Sequence, residues 1–320
     1  MPMSKVQTGP NTHKWIEVQN PPAVGGCCGP SDLSPIDLAP PRRMTGVEQR
    51  QRAASNALMS FAQAKPAPTV SLTWACGVTT VPERRSNGLL LRTLASLRAA
   101  GFDRPRLFTD GSRGDDWDWR QLDLDITFRW PRVRCVANWF LAALELIARN
   151  PTADRFAVFQ DDVIFSQNVR QYLDATSYPE HGYLNLFTFR ESERTILGTS
   201  TGFRPGASLN DSSYPSDWQK GLGALALVFS REALTTLLQS PHVYRKLLDV
   251  NGGWQRVDGA VVTAMNMAGW HEYVHAPTLC QHTGLRSTIE DARHHNQPLA
   301  NTWMGEGFDA LSLLKKQEGT

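Results

Sequence analysis

The chain has 320 residues, an apolar fraction of 41%, a charged fraction of 20% and a formal net charge of +2. That length suits one large α/β domain with a well-buried core, and one domain is expected. The composition is that of an ordinary globular protein, and so small a charge gives no push toward nucleic acid or an anionic membrane. Residues 1–69 carry seven Lys/Arg against four Asp/Glu, too slight an excess to argue a polyanionic partner. The first fifteen residues lack the apolar core of a signal peptide, and no apolar run approaches the ~20 residues of a membrane helix, so a cytoplasmic protein without a membrane partner is expected. Five cysteines, scattered apart from Cys27-Cys28, match no zinc spacing.

In chain order, residues 1–69 read as a Pro/Gly-rich arm, with one stretch of helical composition over 47–61 and Thr45 as its cap. The body begins at Val70 with a strand to Val78, a loop carrying Thr79, Thr80, Arg84 and Arg85, and a helix over 88–100. Strands over 105–109, ending at Asp110, and 126–130 precede a helix over 136–148 that contains Asn138. Next comes Phe156-Ala157-Val158-Phe159-Gln160-Asp161-Asp162-Val163-Ile164-Phe165, an apolar run that meets two carboxylates and continues apolar. It reads as a buried strand carrying its charges where it leaves the sheet. This alternation builds an α/β fold, a mainly parallel sheet flanked by helices.

A strand over 182–189 follows, then a long polar segment over 190–220 of the kind that is uncommon unless functional. Beyond it lie a strand over 223–229, helices over 231–239 and 258–268, a short strand over 272–274, a loop carrying His282, and a polar tail over 291–320. The domain is therefore expected to span 70–290.

Two carboxylates at the end of a buried strand need a cation. In open α/β sheets ligands gather at the carboxyl ends of strands, so Asp161 and Asp162 predict a divalent ion bound with a phosphate-bearing substrate. His282 is placed to complete the set, and its imidazole favours Mn²⁺ over Mg²⁺. The plainer readings are a solvated turn for the carboxylates and a structural histidine for His282.

Phe159-Gln160-Asp161-Asp162-Val163 resembles the acidic metal motif of GT-A glycosyltransferases, a Rossmann-like fold. The run Gln281-His282-Thr283-Gly284-Leu285-Arg286-Ser287 resembles the closing His-Gly-Ser motif of the N-acetylglucosaminyltransferase IV type, although Gln160 stands where that family has Glu. The resemblance implies that Asp162 binds the metal, that Asp161 contacts the ribose or the metal through water, and that His282 touches metal or diphosphate. It also implies that Thr79, Thr80, Arg84, Asp110 and Asn138 hold the nucleotide, Arg84 at the diphosphate and Asp110 at the uracil or ribose.

An inverting transfer needs a carboxylate to take the acceptor proton. Asp258, opening a helix after Gly252-Gly253-Trp254, is the first choice, with Asp217, Glu191 and Glu193 in reserve, and Trp218 and Trp254 offer stacking surfaces. The expected activity is metal-dependent transfer from a nucleotide sugar, most simply a UDP-sugar. The acceptor is a glycan or small molecule, a protein side chain, or a hydroxylated base in phage-type DNA, for which Arg129, Arg132 and Arg134 would be the contacts. A nucleotidyltransferase and a non-catalytic nucleotide-sugar-binding module are the alternatives.

Overall fold

The computed structural model describes residues 72–86, 88–115, 119–196, 201–209, 212–215, 217–248, 256–283 and 299–317. All belong to one compact unit, Ala57–Thr320. The helix expected over 47–61, the Cys27-Cys28 pair, Trp254 and residues 284–287 of the closing motif lie outside them.

The strands are β1 (Trp74–Thr80), β2 (Arg106–Asp110), β3 (Ile126–Arg129), β4 (Arg155–Gln160), β5 (Val163–Phe165), β6 (Gly182–Asn185), β7 (Gly202–Pro205), β8 (Ala226–Ser230), β9 (His271–Ala276) and β10 (Cys280–His282). The helices are α1 (Glu83–Ser86), α2 (Leu89–Ala99), α3 (Cys135–Arg149), α4 (Val169–Ala175), α5 (Arg190–Ile196), α6 (Arg231–Gln239), α7 (Pro241–Leu248), α8 (Val257–Met267) and α9 (Ser312–Gln317).

Eight strands form one sheet in the order β3-β2-β1-β4-β8-β6-β9-β7, and β10 and β5 form a separate pair. Strands β3, β2, β1 and β4 run parallel, whereas β8 is antiparallel to both β4 and β6, and β7 to β9. The chain leaves β1 toward β2 and β3 on one side and returns to β4 on the other. That reversal opens a crevice at the carboxyl ends of β1 and β4.

The apolar run in β4 serves both faces. Phe156 and Val158 join Trp139, Phe140, Phe229 and Val261 beneath α3, α6 and α8. Ala157 and Phe159 join Val78, Leu90, Leu97 and Tyr172 beneath α2 and α4. The period of two sends alternate side chains to opposite layers, so the strand is apolar throughout. Helix α3 buries Val136, Trp139, Phe140, Ala143 and Leu146, spaced for one face. Each large side chain there contributes about 1.5–3 kcal/mol. Gly77 in β1 is needed for closeness: a Cβ there would meet the Phe108 ring at 2.5 Å.

Several expectations change. The stretch over 156–165 is two strands, because the chain turns at Asp161 and Asp162 and β5 leaves the sheet. The strand over 182–189 ends at Asn185, whose amide turns inward onto Leu222 O, Gly223 O and Glu272. The polar segment over 190–220 contains α5 and the edge strand β7, where Phe203 is buried and Pro205 needs no ladder partner. Helix α7 is not among the expected elements, although Val243 and Leu247, four residues apart, both pack on the core. His282 ends strand β10, not a loop.

Residues 299–302 are held to the body. Glu193, 1% exposed, accepts from Thr302 N at 2.7 Å, Thr302 Oγ1 at 2.9 Å and Asn301 Nδ2 at 2.7 Å. The Gln281 amide pairs with both backbone groups of Ala300, and Ala310 and Leu313 enter the core.

Candidate functional site

Parallel register places Thr79 of β1 beside Gln160 of β4, so Thr80 and the Asp161-Asp162 turn share the crevice. Thr80 Oγ1 donates to Asp161 Oδ2 at 2.6 Å. From α2, Thr93 Oγ1 donates to the Asp161 carbonyl at 2.9 Å. Both carboxylates are almost fully buried, Asp161 at 6% and Asp162 at 4% exposure.

Their cation within the chain is Arg84. Helix α1 follows β1 directly, with Arg84 N bonded to Val81 O, and its guanidinium reaches back over the turn. Arg84 Nη2 donates to Asp162 Oδ2 at 2.8 Å, and Nε lies 3.6 Å from Asp161 Oδ1. Burial pushes the Asp161 carboxyl up from its ordinary range, the Asp162 charge adds to this, and Arg84, the Thr80 hydroxyl and the Val81 amide oppose it.

His282 reaches the same place through the small sheet. Antiparallel pairing sets His282 against Val163, and Thr283 fixes the turn by donating to the Asp162 carbonyl from N at 2.8 Å and from Oγ1 at 3.0 Å. His282 Nε2 then lies 3.5 Å from Asp162 Oδ2. Asp162 Oδ1 is buried with no hydrogen-bond partner. No three His, Cys, Asp or Glu side chains among the described residues converge into a set able to hold a metal ion. The Asp162 carboxylate and the His282 imidazole nevertheless suit Mn²⁺ in donor chemistry, with one carboxylate oxygen still uncommitted. They are a partial set, to be completed by ligand or water oxygens.

The other predicted residues stand around this centre. Thr79 Oγ1 contacts the Phe159 carbonyl at 3.3 Å. Asp110 spends both oxygens on the neighbouring loop, accepting from Val133 N at 2.7 Å and Arg134 N at 2.8 Å. Asn138 is buried between the Phe108 carbonyl and Arg129 Nε, at 2.9 Å from each. Both therefore shape the loop between β3 and α3 and the start of α3.

Asp258 opens α8 half-buried, accepting from Gly223 N at 3.1 Å and Gly259 N at 2.8 Å. The segment that holds it also holds β4, since Gln160 Nε2 donates to Ala224 O at 3.1 Å and Gln160 N to Leu225 O at 2.9 Å. Cys135 ties these groups together. Its thiol is pushed up to about 12, first by the protein crowded around it and then by Asp161, Asp162, Asp258 and Asp110. Its side chain is exposed to solvent.

The reserve carboxylates are elsewhere engaged or exposed: Glu191 pairs with Lys220 at 2.7 Å, Glu193 holds residues 301 and 302, and Asp217 is on the surface. Of the arginines considered for DNA, Arg129 is tied to Asn138 and Glu145 and Arg132 to Glu83.

Sequence reasoning missed Glu272. It lies in β9 at 3% exposure, accepts from Asn185 Nδ2 at 2.9 Å, and is raised to about 7 by burial, with Asp258 adding and Asn185 opposing. Gln219 brackets its backbone, donating to the Glu272 carbonyl at 2.9 Å and accepting from its amide. A lone carboxylate in a short strand, beside Tyr273 and Val274, is the signal that could have found it.

No family model matches the chain, and no curated protein matches it in sequence. Solved structures do resemble it. A nucleotidyl transferase from Methanothermobacter thermautotroptrophicus is 11% identical with a TM-score of 0.39, over 63% of this chain and 86% of that one. GalNAc-T7 with UDP, GalNAc and Mn²⁺ is 9% identical with a TM-score of 0.44, over 80% of this chain and 57% of that one. The inositol-1-phosphate CTP transferase from T. maritima is 13% identical with a TM-score of 0.34, over 63% of this chain and 86% of that one. Likenesses of this size assign no reaction, substrate or residue to this chain.

Proposed function

We propose that the protein transfers a sugar from a nucleotide sugar, most simply a UDP-sugar, to a hydroxyl acceptor of the glycan or small-molecule class, with inversion. The observation that carries the reading is the approach of His282 Nε2 to 3.5 Å from Asp162 Oδ2, at the carboxyl ends of the adjacent strands β1 and β4. Asp162 and His282 would hold a divalent ion, which would neutralise charge on the departing phosphate oxygen. Thr80 fixes the Asp161 carboxylate, which faces the ribose. Arg84 supplies a planar set of donors that suits a diphosphate. Asp258, oriented by Gly223 N and Gly259 N, takes the acceptor proton as the new bond forms. The GT-A resemblance of the motif around Asp162, and of the N-acetylglucosaminyltransferase IV type around His282, supports the same assignment.

The test is calorimetric titration with UDP, GDP, CDP and common nucleotide sugars, each with and without Mn²⁺. Metal-dependent binding of one nucleotide is expected. No nucleotide binding under any metal would overturn the reading. Product analysis separates two chemistries, since sugar transfer releases a nucleoside diphosphate and nucleotidyl transfer releases pyrophosphate.

A further inference from the structure

We propose that Arg84 is an exchangeable internal cation: it occupies Asp162 until a divalent ion takes that carboxylate, and its displaced guanidinium then clamps the donor's diphosphate. The inference rests on the functional reading above and adds a coupling between the two binding events. Arg84 Nη2 and His282 Nε2 approach the same oxygen, Asp162 Oδ2, at 2.8 and 3.5 Å. The guanidinium thus holds the Asp162 oxygen nearest His282 and leaves only Oδ1 open to a shared ion. Two like charges close together in a buried site repel strongly, and a divalent charge doubles the repulsion. The two cations therefore compete for one buried carboxylate.

Arg84 is the cation that an incoming ion would displace. It sits on α1, a four-residue helix between β1 and α2. Its Nε makes no hydrogen bond, and its longer 3.6 Å contact to Asp161 Oδ1 can tether it nearby. A guanidinium released from one carboxylate is matched in geometry by a phosphate, which accepts the same paired donors. Cation binding thus frees Arg84 for the diphosphate, and the diphosphate in turn draws Arg84 off Asp162. Linkage makes the coupling reciprocal, so each ligand raises affinity for the other.

The experiment measures Mn²⁺ alone and UDP with and without Mn²⁺, by calorimetry and Mn²⁺ electron paramagnetic resonance, on the whole chain at pH 8. Arg84→Gln is expected to bind Mn²⁺ alone about tenfold tighter than wild type, because its competitor is gone. In the presence of Mn²⁺ it should bind UDP about tenfold more weakly, with the mutual enhancement falling toward unity. Arg84→Lys keeps the charge and gives a second reading should the glutamine variant fold poorly. Its Mn²⁺ affinity should stay near wild type while UDP binding weakens. Mn²⁺ binding to Arg84→Gln that is unchanged or weaker, against a wild type that binds Mn²⁺ and UDP, would overturn the exchange alone. A wild type that binds neither would overturn the functional reading and the exchange with it.

Discussion

His282 Nε2 lies 3.5 Å from Asp162 Oδ2 because β10 runs antiparallel beside β5, with His282 opposite Val163. The carboxylate and the imidazole come from distant parts of the chain, and a pairing of two three-residue strands decides whether they meet.

The Arg84–Asp162 pair is buried, with side chains 5% and 6% exposed. Removing one member leaves an uncompensated charge, whereas removing both can be nearly neutral. Asp162→Asn should cost about 3–5 kcal/mol in urea unfolding, and adding Arg84→Met should recover most of it. Simple additivity of the two single losses would show that the pair does not act as a unit.

Asp258→Asn keeps one acceptor for the backbone N–H groups that hold it and removes the proton acceptor. Turnover should fall at least ~100-fold while nucleotide affinity changes little. A matching loss of nucleotide binding would instead place Asp258 among the donor contacts.

Two buried groups give opposing dependences on pH. Glu272 is raised from 4.5 to about 7, so its contribution is full at low pH and is lost as pH rises through 7. His275, held between Tyr172 and the Pro277 carbonyl, is lowered from 6.5 to about 4, chiefly by burial. Its contribution is full above 6.5 and is lost as pH falls through 4. Each is worth about 3 kcal/mol, and between about pH 4.5 and 6.5 the slopes oppose. Glu272→Gln should therefore gain on wild type by up to about 3 kcal/mol on going from pH 4 to pH 8. A gain independent of pH, measured by denaturant midpoint, would refute the assignment.

Glu193 accepts three hydrogen bonds from Asn301 and Thr302. Glu193→Ala should cost about 2–4 kcal/mol and open residues 299–317 to limited proteolysis. Cleavage that starts in the sheet strands instead would show that the segment is not separately held.

How much of this was readable in advance follows from range. Strand β4 and helix α3 declare themselves, because apolar residues on both faces of one and along one stripe of the other are local patterns. The carboxylates of Asp161 and Asp162 were legible for the same reason. The pairing of β5 with β10 was not, since three residues carry no period. The sequence could supply Arg84 as a charge after β1, but not that β1 and β4 would lie side by side and turn it onto Asp162. Asp110 and Asn138 were legible as polar groups at element ends. Their use as backbone and arginine partners depends on a loop whose path no local pattern specifies. The Asn185–Glu272–Gln219 network joins residues 53 to 87 positions apart, and only the finished sheet brings them together.

The β5–β10 pairing also sets an order of construction during synthesis. Residues 72–165 can bring β1, α1 and β4 together as soon as they emerge, with Arg84 against Asp161 and Asp162. His282 cannot arrive until more than a hundred further residues have been made. Throughout that interval the carboxylates would have the guanidinium and the Thr80 hydroxyl as their partners. In that order of synthesis the counter-charge of Arg84 is available to both carboxylates before His282 is made.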